Sequence, residues 1–317
     1  MAKADQIKNL IKMHFDGQNE RFITIALQIA AHEAKLGHTK LADDIKKIID
    51  SAKTQKPKLK PLNRDLQELV IEVEPIERIS DLIVSDNMSE RIQRIVTEYV
   101  KLNTLRKHNL TNRRKLLLTG PPGTGKTMTA SIISNELNLP LNIVLMDKMV
   151  TKFMGETSAK LRQVFEIISE NKAVYLFDEF DAIGTNRNAE NDVGEMRRVL
   201  NSFLQFIEQD KSESLIVAAT NNLKLLDQAL FRRFDDVIHY HLPNDDEVLL
   251  LLNNKLGSYK DDIQLETIIK KCHGLSHAEI SLACMDTIKS CILSDKKKIT
   301  KTMLVKTIEE RKQAYIK

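Results

Sequence analysis

The sequence lacks most features of secreted, membrane-spanning or metal-stabilised proteins. Its 317 residues include three cysteines, and no two of them have CxxC spacing. This argues against a disulfide framework, so we expect small buried apolar residues in a reducing compartment. No apolar run approaches the length needed to span a bilayer, and the N-terminus lacks the apolar core of a signal peptide. The composition therefore predicts a cytoplasmic protein without a membrane segment.

A strong excess of charge is also missing. The chain holds 48 Lys/Arg and 44 Asp/Glu, a formal net charge of +4. Residues 1–60 carry a net +5, because they hold 12 basic and 7 acidic side chains, and the remainder carries −1. A charge this small does not predict a nucleic-acid partner. The N-terminal excess fits either attraction to an acidic partner or a solvated basic face.

Several catalytic motifs are absent. The nearest approach to a zinc protease motif is HEAKL at residues 32–36, where Leu36 replaces the second histidine of HExxH. No nucleophile elbow with a Ser/His/Asp set occurs, and there is no zinc-ligand cluster or basic–aromatic strip. Any proteolysis would therefore depend on a separately encoded protease.

Hydrophobic periodicity divides the chain into four parts. Residues 1–53 show helical spacing and predict a small three-helix domain. Residues 54–65 contain two prolines and predict a linker. Residues 66–243 alternate short apolar runs with helical patterns, which is typical of a doubly wound parallel sheet, whereas residues 244–317 show helical patterns only. The predicted fold class is α/β, preceded by a helical domain and followed by a helical lid.

The clearest motif is GPPGTGKT at residues 120–127, directly after the apolar run KLLLT. Its glycines permit backbone angles that point successive N–H groups at an anion, and the helix that follows adds its positive end. Lys126 supplies a charge near the β- and γ-phosphates, and Thr127 offers a hydroxyl to Mg²⁺. A surface turn rich in glycine and proline would not require all eight residues. The predicted nucleotide-binding residues here are Gly120, Pro121, Pro122, Gly123, Thr124, Gly125, Lys126, Thr127 and Met128.

Two acids follow a second apolar run, AVYLF at residues 173–177. Side chains alternate at a strand end, so one carboxylate can face the Mg²⁺ shell while its neighbour faces the γ-phosphate. Asp178 is predicted to hold the metal and Glu179 to polarise the attacking water. A third run, LIVAAT at residues 215–220, is followed by Asn221, which could orient that water or simply close the strand as a turn residue.

Taken together, these stretches resemble the AAA family of ATPases, in the branch of protein unfoldases and remodelling factors. The matching segments include GPPGTGKT, VYLFDEFDAIG at residues 174–184, AATN at 218–221, RFD at 233–235 and GLSHAE at 274–279. The resemblance implies a parallel five-stranded domain with a four-helix lid, which uses ATP and Mg²⁺ as a homo-oligomeric ring, a hexamer.

The resemblance also implies roles for particular residues. Asn221 matches the residue that is called the first sensor in this family, which favours its role at the γ-phosphate or the water over that of a turn residue. Arg233 matches an arginine that reaches the ATP of a neighbouring subunit, and Arg232 stands beside it where many members have a longer insert; both could instead form surface ion pairs with Asp235 or Asp236. Gly274 and Ala278 match lid residues near the adenosine, whereas Ser276 and Glu279 are typical of a capping box.

Residues 153–155, Phe-Met-Gly, match the loop that lines the central pore of family members. Phe153 and Met154 would grip a polypeptide by non-directional contacts, and Gly155 would let the loop move. Spacing alone would favour a small core pair at a strand–helix junction.

The resulting hypothesis is an ATP-hydrolysing motor that threads or remodels a protein substrate. Its N-terminal domain would bind the substrate or an adaptor. Two alternatives remain open: a nucleic-acid-associated ATPase that loads a DNA enzyme, and a scaffold timed by nucleotide turnover.

Overall fold

The computed structural model describes residue 8 and residues 19–55, 69–149, 154–180, 192–222, 231–260 and 263–314. The chain separates into two compact units, residues 1–61 and residues 62–317. Within the first unit two helices are described, α1 (Asn19–Lys35) and α2 (Thr39–Gln55). They pack against each other, and small side chains such as Ala30 and Ala42 are almost fully buried. The first of the three predicted helices lies almost wholly outside the described residues.

The second unit is built on a six-stranded sheet in the order β1-β3-β4-β5-β2-β6. Its strands are β1 (Val70–Val73), β2 (Lys115–Thr119), β3 (Leu141–Val144), β4 (Val174–Phe177), β5 (Leu215–Thr220) and β6 (Asp236–His239). Strands β2 to β6 are parallel, as the alternation of strands and helices predicts. The resemblance implied five strands; the sixth is β1, which pairs antiparallel with β3 at the edge. Its run, VIEV, contains Glu72 and leaves three of its four residues exposed, so it lacks the continuous apolar pattern of the central strands.

Helices cover both faces of this sheet. They are α3 (Asp86–Val100), α4 (Leu102–Lys107), α5 (Lys126–Glu136), α6 (Met146–Met149), α7 (Met154–Glu170) and α8 (Asp192–Gln209). The central strands are buried on both sides, because alternate residues enter different cores: Leu117 joins one cluster, and Leu116 and Leu118 join the other. Such all-apolar strands are expected between two helical layers.

Four further helices form the lid: α9 (Asp245–Leu256), α10 (Glu266–Cys272), α11 (His277–Leu293) and α12 (Lys301–Gln313). Capping boxes at Asn244 and Ser276 start α9 and α11. The lid has its own core, in which Cys272, Cys284 and Cys291 are buried as free thiols. The predicted apolar role of the cysteines is thus confirmed. Across the described part of the chain, each helix is too short or too polar to cross a bilayer.

Candidate nucleotide-binding and hydrolysis site

The phosphate loop joins the buried strand β2 to α5. Gly120, Gly123 and Gly125 have φ of 143°, 71° and 102°, in the region that side-chain-bearing residues rarely adopt. Gly120 is also required sterically, since a Cβ there would lie 2.3 Å from the carbonyl oxygen of Tyr240. Gly125 is the residue before α5, so the loop delivers the chain directly into a helix N-terminus. This is the arrangement that concentrates N–H donors around an anion.

Lys126 is held over the loop. Although its side chain is charged, only 6% of the residue is exposed, and its Nζ donates to the carbonyls of Gly120 at 2.8 Å and Pro121 at 2.7 Å. The Thr124 hydroxyl donates to the Pro121 carbonyl at 2.8 Å. The ammonium therefore lies beside the anion cradle, where it can contact the phosphates of a nucleotide.

The two predicted acids, Asp178 and Glu179, lie next to the loop at the end of β4. Asp178 Oδ2 accepts from the Thr127 hydroxyl at 2.6 Å, and Asp178 Oδ1 accepts from the backbone N–H of Glu179 at 2.8 Å. Glu179 has φ of 50°, a left-handed conformation that strains a non-glycine residue by about 1 kcal/mol. Asp178 is thus tied to the loop through Thr127, and Glu179 lies next to it on the same cleft.

These groups line one cleft of about 410 Å³. Asn221, which follows β5, lies on the same cleft as Lys126, Thr127, Asp178 and Glu179. Parallel strands end on the same edge of a sheet, which is why three distant segments converge there. The remaining lining residues are Asp81, Leu82, Ile83, Pro122, Gly123, Thr124, Gly125, Met128, Leu251, Lys255, His277, Ala278 and Ser281.

The lid touches the phosphate loop directly. The backbone N–H of Ala278 donates to the Gly123 carbonyl at 3.0 Å. A Cβ at Gly123 would lie 2.5 Å from the Ser276 hydroxyl oxygen and 3.1 Å from the Ala278 Cβ. The absence of a side chain at Gly123 is therefore what lets α11 approach the loop.

Three predicted binding residues are placed differently from the rest. Gly120, Pro121 and Gly274 do not line this cleft among the described residues. Gly120 packs against Tyr240, and Pro121 contributes its carbonyl to Lys126. Gly274 has φ of 87° and occupies the turn between α10 and α11, where glycine is favoured after a helix end. Gly120 and Pro121 therefore contribute to the backbone structure of the loop, whereas a nucleotide-binding role for Gly274 stays a prediction.

The two arginines lie just before β6, and neither lines the cleft of its own chain in the described structure. Arg232 is exposed, and Arg233 pairs through Nε with Glu208 Oε1 at 2.6 Å. This ion pair differs from the predicted alternative, in which the partner is Asp235 or Asp236. Both of those acids are engaged elsewhere: Asp235 accepts from the backbone N–H groups of Arg114 and Lys115, and Asp236 pairs with Arg91 and Arg113.

The predicted pore segment is only partly described. Phe153 lies outside the described residues. Met154 and Gly155 form the first turn of α7, so the backbone there opens a helix. The pore role of these three residues stays a prediction.

Sequence reasoning missed the lid side of the cleft, which includes Leu251, Lys255, His277 and Ser281. His277 stands inside the segment GLSHAE, between residues that the resemblance singled out. The position of His277 within that motif could have identified it as a candidate cleft residue. Leu251 and Lys255 carried none, because their spacing in α9 is that of an ordinary amphipathic helix.

Comparison with known proteins gives one family. Residues 116–242 match the model of the ATPase family associated with various cellular activities (AAA). An uncharacterized AAA family ATPase, y4kL of Sinorhizobium fredii, is 32% identical over 94% of this chain and 92% of its own length. Proteasome-activating nucleotidases of Saccharolobus solfataricus and Haloferax volcanii are 35% and 32% identical, over 62% and 58% of this chain. The chain spans about half the length of these nucleotidases, 52% and 48%.

Proposed function

Because the chain belongs to the AAA family of ATPases, we propose that it is an Mg²⁺-dependent motor that hydrolyses ATP to remodel or unfold protein substrates. The observation that carries the proposal is the hydrogen bond between Thr127 and Asp178 at 2.6 Å, with Glu179 beside it on the same cleft as Lys126. The residues that we propose to bind phosphate, to hold the metal and to activate water line one cleft, which is what phosphoryl transfer to water requires.

The residues of the cleft have separate roles in the proposed reaction. The loop N–H groups and Lys126 bind and orient the phosphates. Glu179 orients the attacking water and accepts its proton, because its carboxylate is not the one engaged by Thr127. Asn221 holds the water or the γ-phosphate from the end of β5.

The residues present suit Mg²⁺. The Thr127 hydroxyl and the Asp178 carboxylate are hard oxygen ligands that already lie within hydrogen-bond distance of each other. Mg²⁺ is commonly bound by one or two such groups together with substrate phosphates and water. When bound, it would neutralise charge on the β- and γ-phosphates.

The protein acts as a homo-oligomeric ring, a hexamer, in which Arg233, with Arg232 beside it, serves the site of the next subunit. Support comes from their position outside the cleft of their own chain in the described structure. The side chains of Arg233 and Glu208 are 30% and 53% exposed, although Arg233 Nε itself is shielded from solvent. The guanidinium can exchange Glu208 for a neighbour's phosphate, because a phosphate offers the same kind of charge-assisted hydrogen bond.

The substrate is a protein, and Phe153, Met154 and Gly155 contact it. Support comes from the similarity to proteasome-activating nucleotidases, whose name implies work on proteins for a separate protease. We assign residues 1–53 to a substrate or adaptor domain, 54–65 to a linker, 66–243 to the ATPase domain and 244–317 to the lid, in a cytoplasmic protein.

The test is a comparison of ATP binding and ATP hydrolysis. Glu179→Gln is expected to bind ATP as the wild type does and to hydrolyse it at least about 100-fold more slowly, the usual contribution of a general base. Lys126→Ala should lose binding. Glu170→Gln, which alters an exposed carboxylate at the end of α7, is the matched control and should keep wild-type turnover. Near-normal hydrolysis by Glu179→Gln would overturn the assignment.

A further inference from the structure

One polar group on the cleft has no explanation in the hydrolytic mechanism. His277, the first residue of α11, lines the cleft, and both of its ring nitrogens are shielded from solvent. Neither nitrogen makes a hydrogen bond of good geometry with the residues that the structure describes, although the backbone carbonyl of Ile83 lies near enough to the ring to act on its pKa. His273, four residues earlier, differs in both respects, since its Nε2 lies 2.7 Å from Asp245 Oδ1 at the protein surface.

Ring nitrogens that are shielded from solvent are costly without a well-formed hydrogen bond, and the Ile83 carbonyl can serve at most one of the two. Buried polar side chains almost always have a hydrogen-bond partner, and leaving a donor or acceptor without it costs about 1–3 kcal/mol. Burial lowers the pKa of His277, while Glu247 and the backbone carbonyl of Ile83 oppose that shift. The ring is therefore uncharged near neutral pH, and an uncharged imidazole offers one donor and one acceptor.

The position of His277 indicates which partner. The phosphate loop occupies one part of the cleft lining, so the nucleoside of a bound nucleotide must lie against the remainder. That remainder contributes apolar side chains from Leu82, Ile83 and Leu251, which suit the faces of a base. Ser281, one turn along α11, is less available as a polar contact, because its hydroxyl donates to the His277 carbonyl at 2.7 Å.

We propose that His277 is a specificity-determining residue, whose imidazole accepts a hydrogen bond from the exocyclic amine of the adenine base. Rotation about the Cβ–Cγ bond exchanges each ring nitrogen with a ring carbon, and that torsion is broad for histidine, so a nitrogen can turn to the cleft without backbone movement. The inference rests on the proposed function, because it requires adenine nucleotides to bind in this cleft.

The experiment measures equilibrium binding of three diphosphates to the full-length protein by calorimetry, which avoids turnover. The ligands are ADP, purine riboside 5′-diphosphate, which lacks the exocyclic amine, and 2′-deoxyADP. In the wild type, loss of the amine should weaken binding about threefold to tenfold, the usual effect of one net hydrogen bond. His277→Leu should lose most of that ratio, His277→Gln should retain part of it, and His273→Leu should behave as wild type.

The four affinities, of wild type and His277→Leu for ADP and for purine riboside diphosphate, form a thermodynamic cycle. The cycle isolates the interaction between the His277 side chain and the exocyclic amine, because any other contact of the amine is present in both proteins and cancels. An unchanged ratio in His277→Leu, or a loss of discrimination against 2′-deoxyADP instead, would overturn the inference. If His277→Leu does not fold, the side-chain ¹⁵N resonances of wild-type His277 replace it: they should shift with ADP and not with purine riboside diphosphate, and equal shifts would count against the role. Failure of ADP to bind the wild type would reject the proposed function itself.

Discussion

The contact between lid and phosphate loop predicts a specific pair of compensating substitutions. Gly123→Ala places a Cβ 2.5 Å from the Ser276 hydroxyl oxygen in a backbone conformation, φ of 71°, that alanine rarely adopts. Left-handed backbone strain costs about 1 kcal/mol, and forcing an extra carbon into a packed interface costs about 2 kcal/mol. The single variant should therefore be about 3 kcal/mol less stable, a fall in Tm of about 6–12 °C for a unit of this size.

Ser276→Gly should relieve most of the steric part. It removes both Ser276 atoms that the new Cβ would meet, and glycine at an N-cap costs only a few tenths of a kcal/mol relative to serine. The double variant should thus recover about 2 kcal/mol. Gly257→Ala is the control for strain alone, because Gly257 has φ of 49° and a Cβ added there would meet nothing within 4 Å. It should cost about 1 kcal/mol.

Thermal unfolding of the wild type, the three single variants and the two double variants, 123/276 and 257/276, tests this reasoning. The coupling between positions 123 and 276 should be about 2 kcal/mol, whereas positions 257 and 276 should be additive. Additive effects at positions 123 and 276 would mean that the lid does not rest on the loop in solution, and the argument for their contact would fail.

Three other predictions concern assembly, substrate handling and pH. Arg233→Ala should abolish hydrolysis while retaining ATP binding, and mixing it with Glu179→Gln should restore some activity if the arginine acts across a subunit interface; a monomer by light scattering in ATP, with activity independent of protein concentration, would contradict this. Phe153→Ala should leave basal ATPase activity within a few-fold of wild type and abolish unfolding of a protein substrate, whereas Phe153→Tyr should retain the unfolding activity. Strong stimulation of the ATPase by DNA, with Phe153→Ala unimpaired in a partner assay, would instead favour an ATPase that loads a DNA enzyme. Burial lowers the pKa of His277, so on acidification the imidazole is protonated in the unfolded state before it is protonated in the folded state. The free energy of unfolding of the wild type should therefore fall below about pH 6.5 more steeply than that of His277→Gln, by up to about 1.4 kcal/mol per pH unit. Parallel stability curves for the two proteins between pH 7.5 and 5.5 would refute the burial argument.

Much of the second unit could be predicted because its signals are local. The strand before the phosphate loop, the apolar run before Asp178 and the four lid helices each show their period within one short segment. The edge strand β1 could not be predicted, since its four residues owe their conformation to pairing with β3. The same holds for the ion pair of Arg233, because Glu208 is supplied by a different element, α8.

Sequence alone determined which chemical groups this protein carries: the glycines of the loop, Lys126, and the acids that end a buried strand. Those identities follow from backbone freedom and ligand chemistry, which act within a few residues. Tertiary structure decided which groups meet. It joined Thr127 to Asp178 across 51 positions, set Gly123 against Ser276 of the lid, and placed the imidazole of His277 beside the same cleft without a well-formed hydrogen bond in the described chain. Such contacts depend on how helices and strands pack, and the sequence around a residue does not indicate which distant residues it will contact.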